Sequence, residues 1–162
     1  MIAGLSIENF TNLHVAISLI GIVSGLIVLA GMLRARRLPG WTALFLVTTI
    51  LTSVTGFMFP ISGLTPGIVF GLISIVILVI ALNALYVKHL AGAWRCIYVT
   101  TALIALYLNV FVLIVQSFQK VPALQKLAPT QSEPPFSVAQ GVLLVAFLIL
   151  GIMAARRFRP TP

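Results

Sequence analysis

An all-α bundle of five membrane-spanning helices is predicted by three features of the sequence. Five runs of roughly twenty mostly apolar residues recur along the chain, each about long enough to cross a ~30 Å hydrocarbon core as a helix. Charge is confined to the segments between the runs: ten Lys and Arg and only two acids, Glu8 and Glu133, in 162 residues. Hydrophobic residues make up 60% of the chain and charged ones 7%, and the mean hydropathy of +1.19 lies outside the range of soluble domains.

In order, helix 1 is expected over about 12–33, helix 2 over 41–59, helix 3 over 67–87, helix 4 over 96–118 and helix 5 over 137–155, all within one integral-membrane unit spanning 1–162. Helix 1 is read as retained, not cleaved: Glu8 with no Lys or Arg precedes it, its apolar run is too long for a signal peptide, and Arg34, Arg36 and Arg37 follow as a stop. Helices 2 and 3 are joined by a short segment, and Lys88 and Arg95 separate helices 3 and 4. The longest aqueous segment, 119–136, links helices 4 and 5. Its first part spaces Val121, Leu124 and Leu127 at helical intervals beside Lys120 and Lys126, with Pro122 at a helix-starting position, so a short amphipathic piece lying on the surface is expected. Its second part, Pro129 to Phe136 with three prolines, predicts an extended, stiffened path that serves as a connector or as a lid over that end.

Topology follows from the placement of the cations. Arg34, Arg36, Arg37, Lys88, Arg95, Arg156, Arg157 and Arg159 gather on one side, and only Lys120 and Lys126 on the other. The positive-inside rule puts the N-terminus outside and the C-terminus in the cytoplasm of a cell inner membrane, with Trp41, Tyr86, Trp94 and Tyr98 as an aromatic belt at the cytoplasmic interface. The same cations predict contact with anionic lipids at that face. The sequence pI near 11 does not signal nucleic acid, because the basic residues flank apolar runs a few at a time instead of clustering on a water-facing surface.

Several chemistries are disfavoured. The spans carry no ionisable group near their midpoints and the chain has no Asp, which argues against a proton relay or a carboxylate ion site. Both acids belong to the outer side, leaving little for hydrolysis by paired carboxylates. Cys96 is the only cysteine, so no internal disulfide can form, and no Cys or His pair has zinc spacing. A catalytic role and a bound metal are not expected.

Polar residues inside the spans form seams. Thr48, Thr52 and Thr55 share one strip of helix 2, beside Thr49, Ser53 and Gly56, a pattern suited to close helix packing. Gly21-xxx-Gly25 and Gly67-xxx-Gly71 permit close crossings that a five-helix bundle can use internally, and Asn83 reads as an interhelical hydrogen-bonding residue. In helix 4, Tyr98, Thr101, Ala105, Asn109, Gln116 and Gln119 approximate a second stripe. Asn109 and Gln116 are read either as packing residues or as two buried amides lining an outer-facing pocket, with Gln119 at its mouth and Glu133 and His14 nearby. The two histidines fall at opposite faces, His14 outside and His89 inside, so one haem cannot take both as axial ligands, although one could ligate alone.

The order of landmarks resembles small uncharacterised bacterial inner-membrane proteins whose four-helix part is similar to cytochrome-b-type bundles. Leu13-His14 opens the first helix, Thr55-Gly56-Phe57 closes the second, and His89 with Trp94-Arg95 and Tyr98 leads into the fourth, over roughly residues 13–109. Where such a family would carry a His-Arg pair between helices 1 and 2, this chain has Leu38-Pro39-Gly40-Trp41, and haem binding is not carried over. Five helices in this length are also similar to the tryptophan-rich sensory proteins, but only two Trp are present. The expected function is therefore to bind or move a lipophilic small molecule, lipid or quinone-like, through an outer-facing pocket. The alternatives are a non-catalytic structural or accessory subunit of a larger membrane complex, as a homo-oligomer or with another membrane protein, and a haem-binding redox protein.

Overall fold

The computed structural model describes residues 1–159 apart from 3, 61, 62, 64 and 65. Six α-helices follow one another: α1 (Ile7–Leu33), α2 (Pro39–Phe57), α3 (Pro66–Leu82), α4 (Trp94–Lys120), α5 (Pro122–Leu127) and α6 (Pro134–Arg157). A π-helical turn, Asn83–Val87, extends α3. Five of these segments are long and apolar enough to cross a membrane, as the sequence predicts.

Capping chemistry explains where the boundaries differ from expectation. α1 starts five residues early because Ser6 is a β-region N-cap whose Oγ accepts from the Asn9 amide at 3.2 Å, with Glu8 in the positive first turn. It ends in a Schellman motif: the Arg36 amide donates to Gly31 O and the Ala35 amide to Met32 O, with Ala35 at φ 55° where glycine is usual. Pro39 begins α2 and Pro122 begins α5, first-turn positions where the missing N–H costs nothing. α5 is the expected short piece and has no buried residue.

The stretch Pro129 to Phe136 departs from the expected extended path. Pro134 and Pro135 instead open α6, three residues before the predicted start, and residues 129–133 fold into a turn with Gln131 at φ 58°. Proline's fixed φ suits a first helical turn as well as an extended strand, and here the apolar run behind it decides.

α4 is the axis of the bundle and packs against α1, α2, α3 and α6. Between helices in lipid, van der Waals fit carries the packing, and Gly21, Gly25 and Gly71 serve it within one chain, whereas Gly67 is exposed. A Cβ on Gly25 would come within 2.6 Å of Leu106 Cδ1 and 2.9 Å of the Phe45 ring, and one on Gly71 within 2.8 Å of the Phe57 ring. The seam of α2 buries Thr48, Thr49 and Ser53, whose hydroxyls donate to carbonyls one turn back or accept from a neighbour. α6 is held less deeply: Ala154 is its one buried residue, while Val138, Val142, Val145, Leu148, Ile149 and Ile152 are exposed.

Two burial expectations are corrected. Tyr98 does not stand in the interfacial belt with exposed Trp41 and Tyr86 but is 2% exposed inside the core, because it lies on the face of α4 that meets α2. Gln116 is exposed rather than buried, one turn from the end of α4 where neighbouring helices no longer cover it. The backbone carbonyl of Asn83 accepts from the Lys88 amide at 2.9 Å across the π turn.

Candidate functional site

The two ends of the bundle differ in construction. At the end that gathers the arginines, a cavity of about 260 Å³ opens between α1, α2, the end of α3 and the start of α4. Its floor is apolar and buried: Val28 and Met32 from α1, Leu90, and Phe158 just beyond α6. Thr42 and Tyr98, both buried, place hydroxyl-bearing side chains on its wall. Its rim is exposed and carries Arg36, Arg37, Tyr86 and His89.

Irregular backbone forms one side of this cavity. The π turn adds a residue to the last turn of α3 and so re-aims the segment after it, and the chain then reverses through His89 and Leu90, both left-handed at φ 48° and 60°. The Leu90 amide closes the reversal on Ala84 O at 3.0 Å. Leu85, Tyr86, His89 and Leu90 reach the cavity by this route. π turns and left-handed non-glycine residues each cost stability and gather at functional sites.

Arg95 holds the cavity's other side. Its Nη1 donates to Ala155 O at 2.9 Å and to Phe158 O, satisfying terminal carbonyls of α6 and placing a cation at the negative end of its dipole. Phe158 is thereby kept against Tyr98, with ring centroids 6.3 Å apart. Lys88 stands 5.4 Å over the Trp94 ring, a cation–π contact.

At the opposite end the polar groups of the 129–133 turn are tied to one another and to α4, although the buried Gln140 Oε1 in the same half of the bundle has no partner among the described residues. The Glu133 carboxylate accepts from the Thr130 amide at 3.2 Å, the Thr130 hydroxyl at 2.9 Å and the Ser132 amide at 3.1 Å. Lost hydration pushes this carboxyl up, but the bonds from its own backbone, Thr130 and Ser132 prevail and hold it below its ordinary value. Gln131 donates to Val115 O at 2.8 Å and accepts from Gln119 at 3.3 Å, while Phe118 and Phe136 pack edge to face at 5.4 Å. The loop is thus docked on the end of α4.

The sequence-predicted residues fall into separate groups. Gln119 joins the docked loop through Gln131, and Glu133 organises its turn. Asn109 donates weakly to Thr49 Oγ1 at 3.4 Å, a contact between α2 and α4. His14 Nδ1 lies 2.7 Å from Thr55 Oγ1, and its ring packs edge to face on Phe59. Gln116 and Gln119 are exposed. His14 and His89 stand at opposite ends, and no cluster of three or more His, Cys, Asp or Glu able to hold a metal occurs among the described residues. What sequence reasoning missed is the union of Arg36, Arg37, Tyr86, His89 and Tyr98 around one cavity, although it had singled out each of them. The π turn that brings them together leaves no mark in an apolar run beyond Asn83.

Fold and site together define a polytopic helical membrane protein with a mostly apolar cavity under a basic rim at one end. No family model, curated protein or solved structure matches the chain, so what it does is argued from its own residues.

Proposed function

We propose that this is a small inner-membrane protein that binds a lipophilic small molecule, seated in the cavity at the basic end. The observation that carries the reading is the make-up of that cavity, an exposed basic rim over a buried lining that is mostly apolar and includes two hydroxyls. Ligand pockets combine mostly apolar walls with a few convergent polar groups. The Asn109 seam is a poorer seat, since Asn109 is turned to Thr49 and Gln116 stands exposed. Native mass spectrometry of the gently solubilised protein tests the reading. A retained lipophilic molecule is expected, and it should be lost from a Val28→Trp variant that fills the floor. Retention unchanged by Val28→Trp would overturn it.

The orientation that fits is N-terminus outside and C-terminus cytoplasmic, supported by the cation count. Cys96, exposed near the start of α4 at the basic end, reports on it directly. A membrane-impermeant maleimide should leave intact spheroplasts unlabelled and label lysed ones; labelling of intact spheroplasts would invert the topology.

A second reading, an accessory subunit of a membrane complex, is favoured by α6, whose exposed apolar face suits either lipid or another helix. A stoichiometric partner in the same mass spectra would support it.

A further inference from the structure

Resting on the lipophilic-ligand reading, we propose that the cavity selects single-chain anionic amphiphiles, a phosphate or carboxylate head on one hydrocarbon tail, over neutral molecules. Charge is the first ground. Every acidic side chain in the sequence, Glu8 and Glu133, lies at the far end, while the cavity end carries eight of the ten Lys and Arg. Among the described residues at that end, Arg95 is the arginine whose guanidinium is occupied by protein acceptors, and Lys88 lies on Trp94. Arg36 and Arg37 stand on the rim itself and, among the described residues, no acidic side chain lies at that end, so an anionic head at the mouth would supply an acceptor that those side chains do not. Guanidinium suits phosphate and carboxylate geometry alike.

Size and lining are the second ground. The volume of about 260 Å³ falls just under the ~300–1,000 Å³ of ordinary small-molecule pockets, which matches a head and the near part of one chain. Thr42 and Tyr98, both buried, stand on the lining, where their hydroxyls can donate to oxygens of a head held by Arg36 and Arg37. Val28, Met32 and Phe158 offer only carbon or thioether surface to the tail.

The test uses the full chain in phosphatidylcholine nanodiscs, titrated calorimetrically with dodecyl phosphate, dodecanoate and dodecanol. The two anions are expected to bind at least tenfold tighter than the alcohol. An R36Q/R37Q variant should bring the three within about twofold, whereas R156Q/R157Q, which removes the same charge at the same end but outside the cavity, should leave the preference intact. Val28→Trp, or Leu85→Trp if the first variant is not monodisperse, should abolish binding of all three. Equal binding of dodecanol and the anions by the unaltered protein overturns the charge selection and leaves the lipophilic reading standing. Loss of the preference in R156Q/R157Q would show a general surface potential and overturn the site. Anion binding that survives both filling variants overturns the site and the lipophilic reading together.

Discussion

The basic end and the loop end of this bundle solve the same problem in opposite ways. Both must finish helices and satisfy the polar groups left over where lipid gives way to water. The loop end does so internally: Glu133 takes the amides of its own turn, Gln131 reaches a carbonyl of α4, and His14 meets Thr55. The basic end leaves a void, strained backbone at His89 and Leu90, and guanidinium groups without acidic side chains beside them among the described residues. An end whose long loop is tied down by its own hydrogen bonds acts as a plug, and an end with unspent donors around a cavity is prepared to receive something. Arg95 is the exception that keeps the second end from collapsing or fraying.

The largest effect should come from removing that exception. Arg95→Met takes a charged donor from two carbonyls at the end of α6 and frees Phe158 from Tyr98, which we expect to cost about 1.5–3 kcal/mol, the range for hydrogen bonds to charged groups. Thermal unfolding in mild detergent should show a drop of several degrees, and Arg95→Lys should recover little, because one ammonium cannot match the guanidinium's reach. At the loop end, Gln131→Ala removes only neutral bonds to Val115 O and Gln119, so about 1 kcal/mol is expected. Equal losses for Arg95→Met and Gln131→Ala would erase the distinction between the ends.

Next in size are two gains. Ala35 and His89 both hold left-handed backbone at the basic end, and glycine at either should add roughly 0.5–1 kcal/mol. The pair sharpens the contrast between strain kept for capping and strain kept for a site. Ala35→Gly, away from the cavity lining, should raise the melting temperature and leave ligand retention unchanged, whereas His89→Gly should raise it and weaken retention. If His89→Gly retains ligand as well as Ala35→Gly does, the rim histidine has no part in binding.

The bundle was readable from residue types because bilayer thickness fixes helix length and lipid forbids charge inside it, so hydropathy and Arg34, Arg36 and Arg37 mark a span directly. Pro122 as a helix start was equally visible. Ser6 capping α1 and Pro134 opening α6 were not, since a cap is a matter of a few dihedrals next to an apolar run that already looks complete. The cavity was less visible still. It depends on where a π turn rotates Tyr86 and His89, and on Tyr98 facing inward, and neither follows from a pattern with a 3.6-residue period. Asn109 illustrates the converse: its polarity drew attention, and the fold uses it on Thr49.

The smallest effect lies at the loop end and is set by pH. The Glu133 carboxyl is held below its ordinary value by the donors of its turn, so its ionised form is the one the folded loop prefers. That contribution is therefore fully present above the ordinary glutamate value and is lost as pH falls through the lowered one. Amide hydrogen exchange at Thr130 and Ser132, corrected for its intrinsic pH dependence, should stay protected at a pH where a free glutamate is half protonated and loosen only below it. Glu133→Gln, which accepts through one oxygen and does not titrate, should give protection that is weaker and flat with pH. An unaltered protein whose Thr130 and Ser132 protection is as flat as that of Glu133→Gln would mean that the carboxylate does not organise the turn, and that the plug is held by Gln131 and the Phe118–Phe136 contact instead.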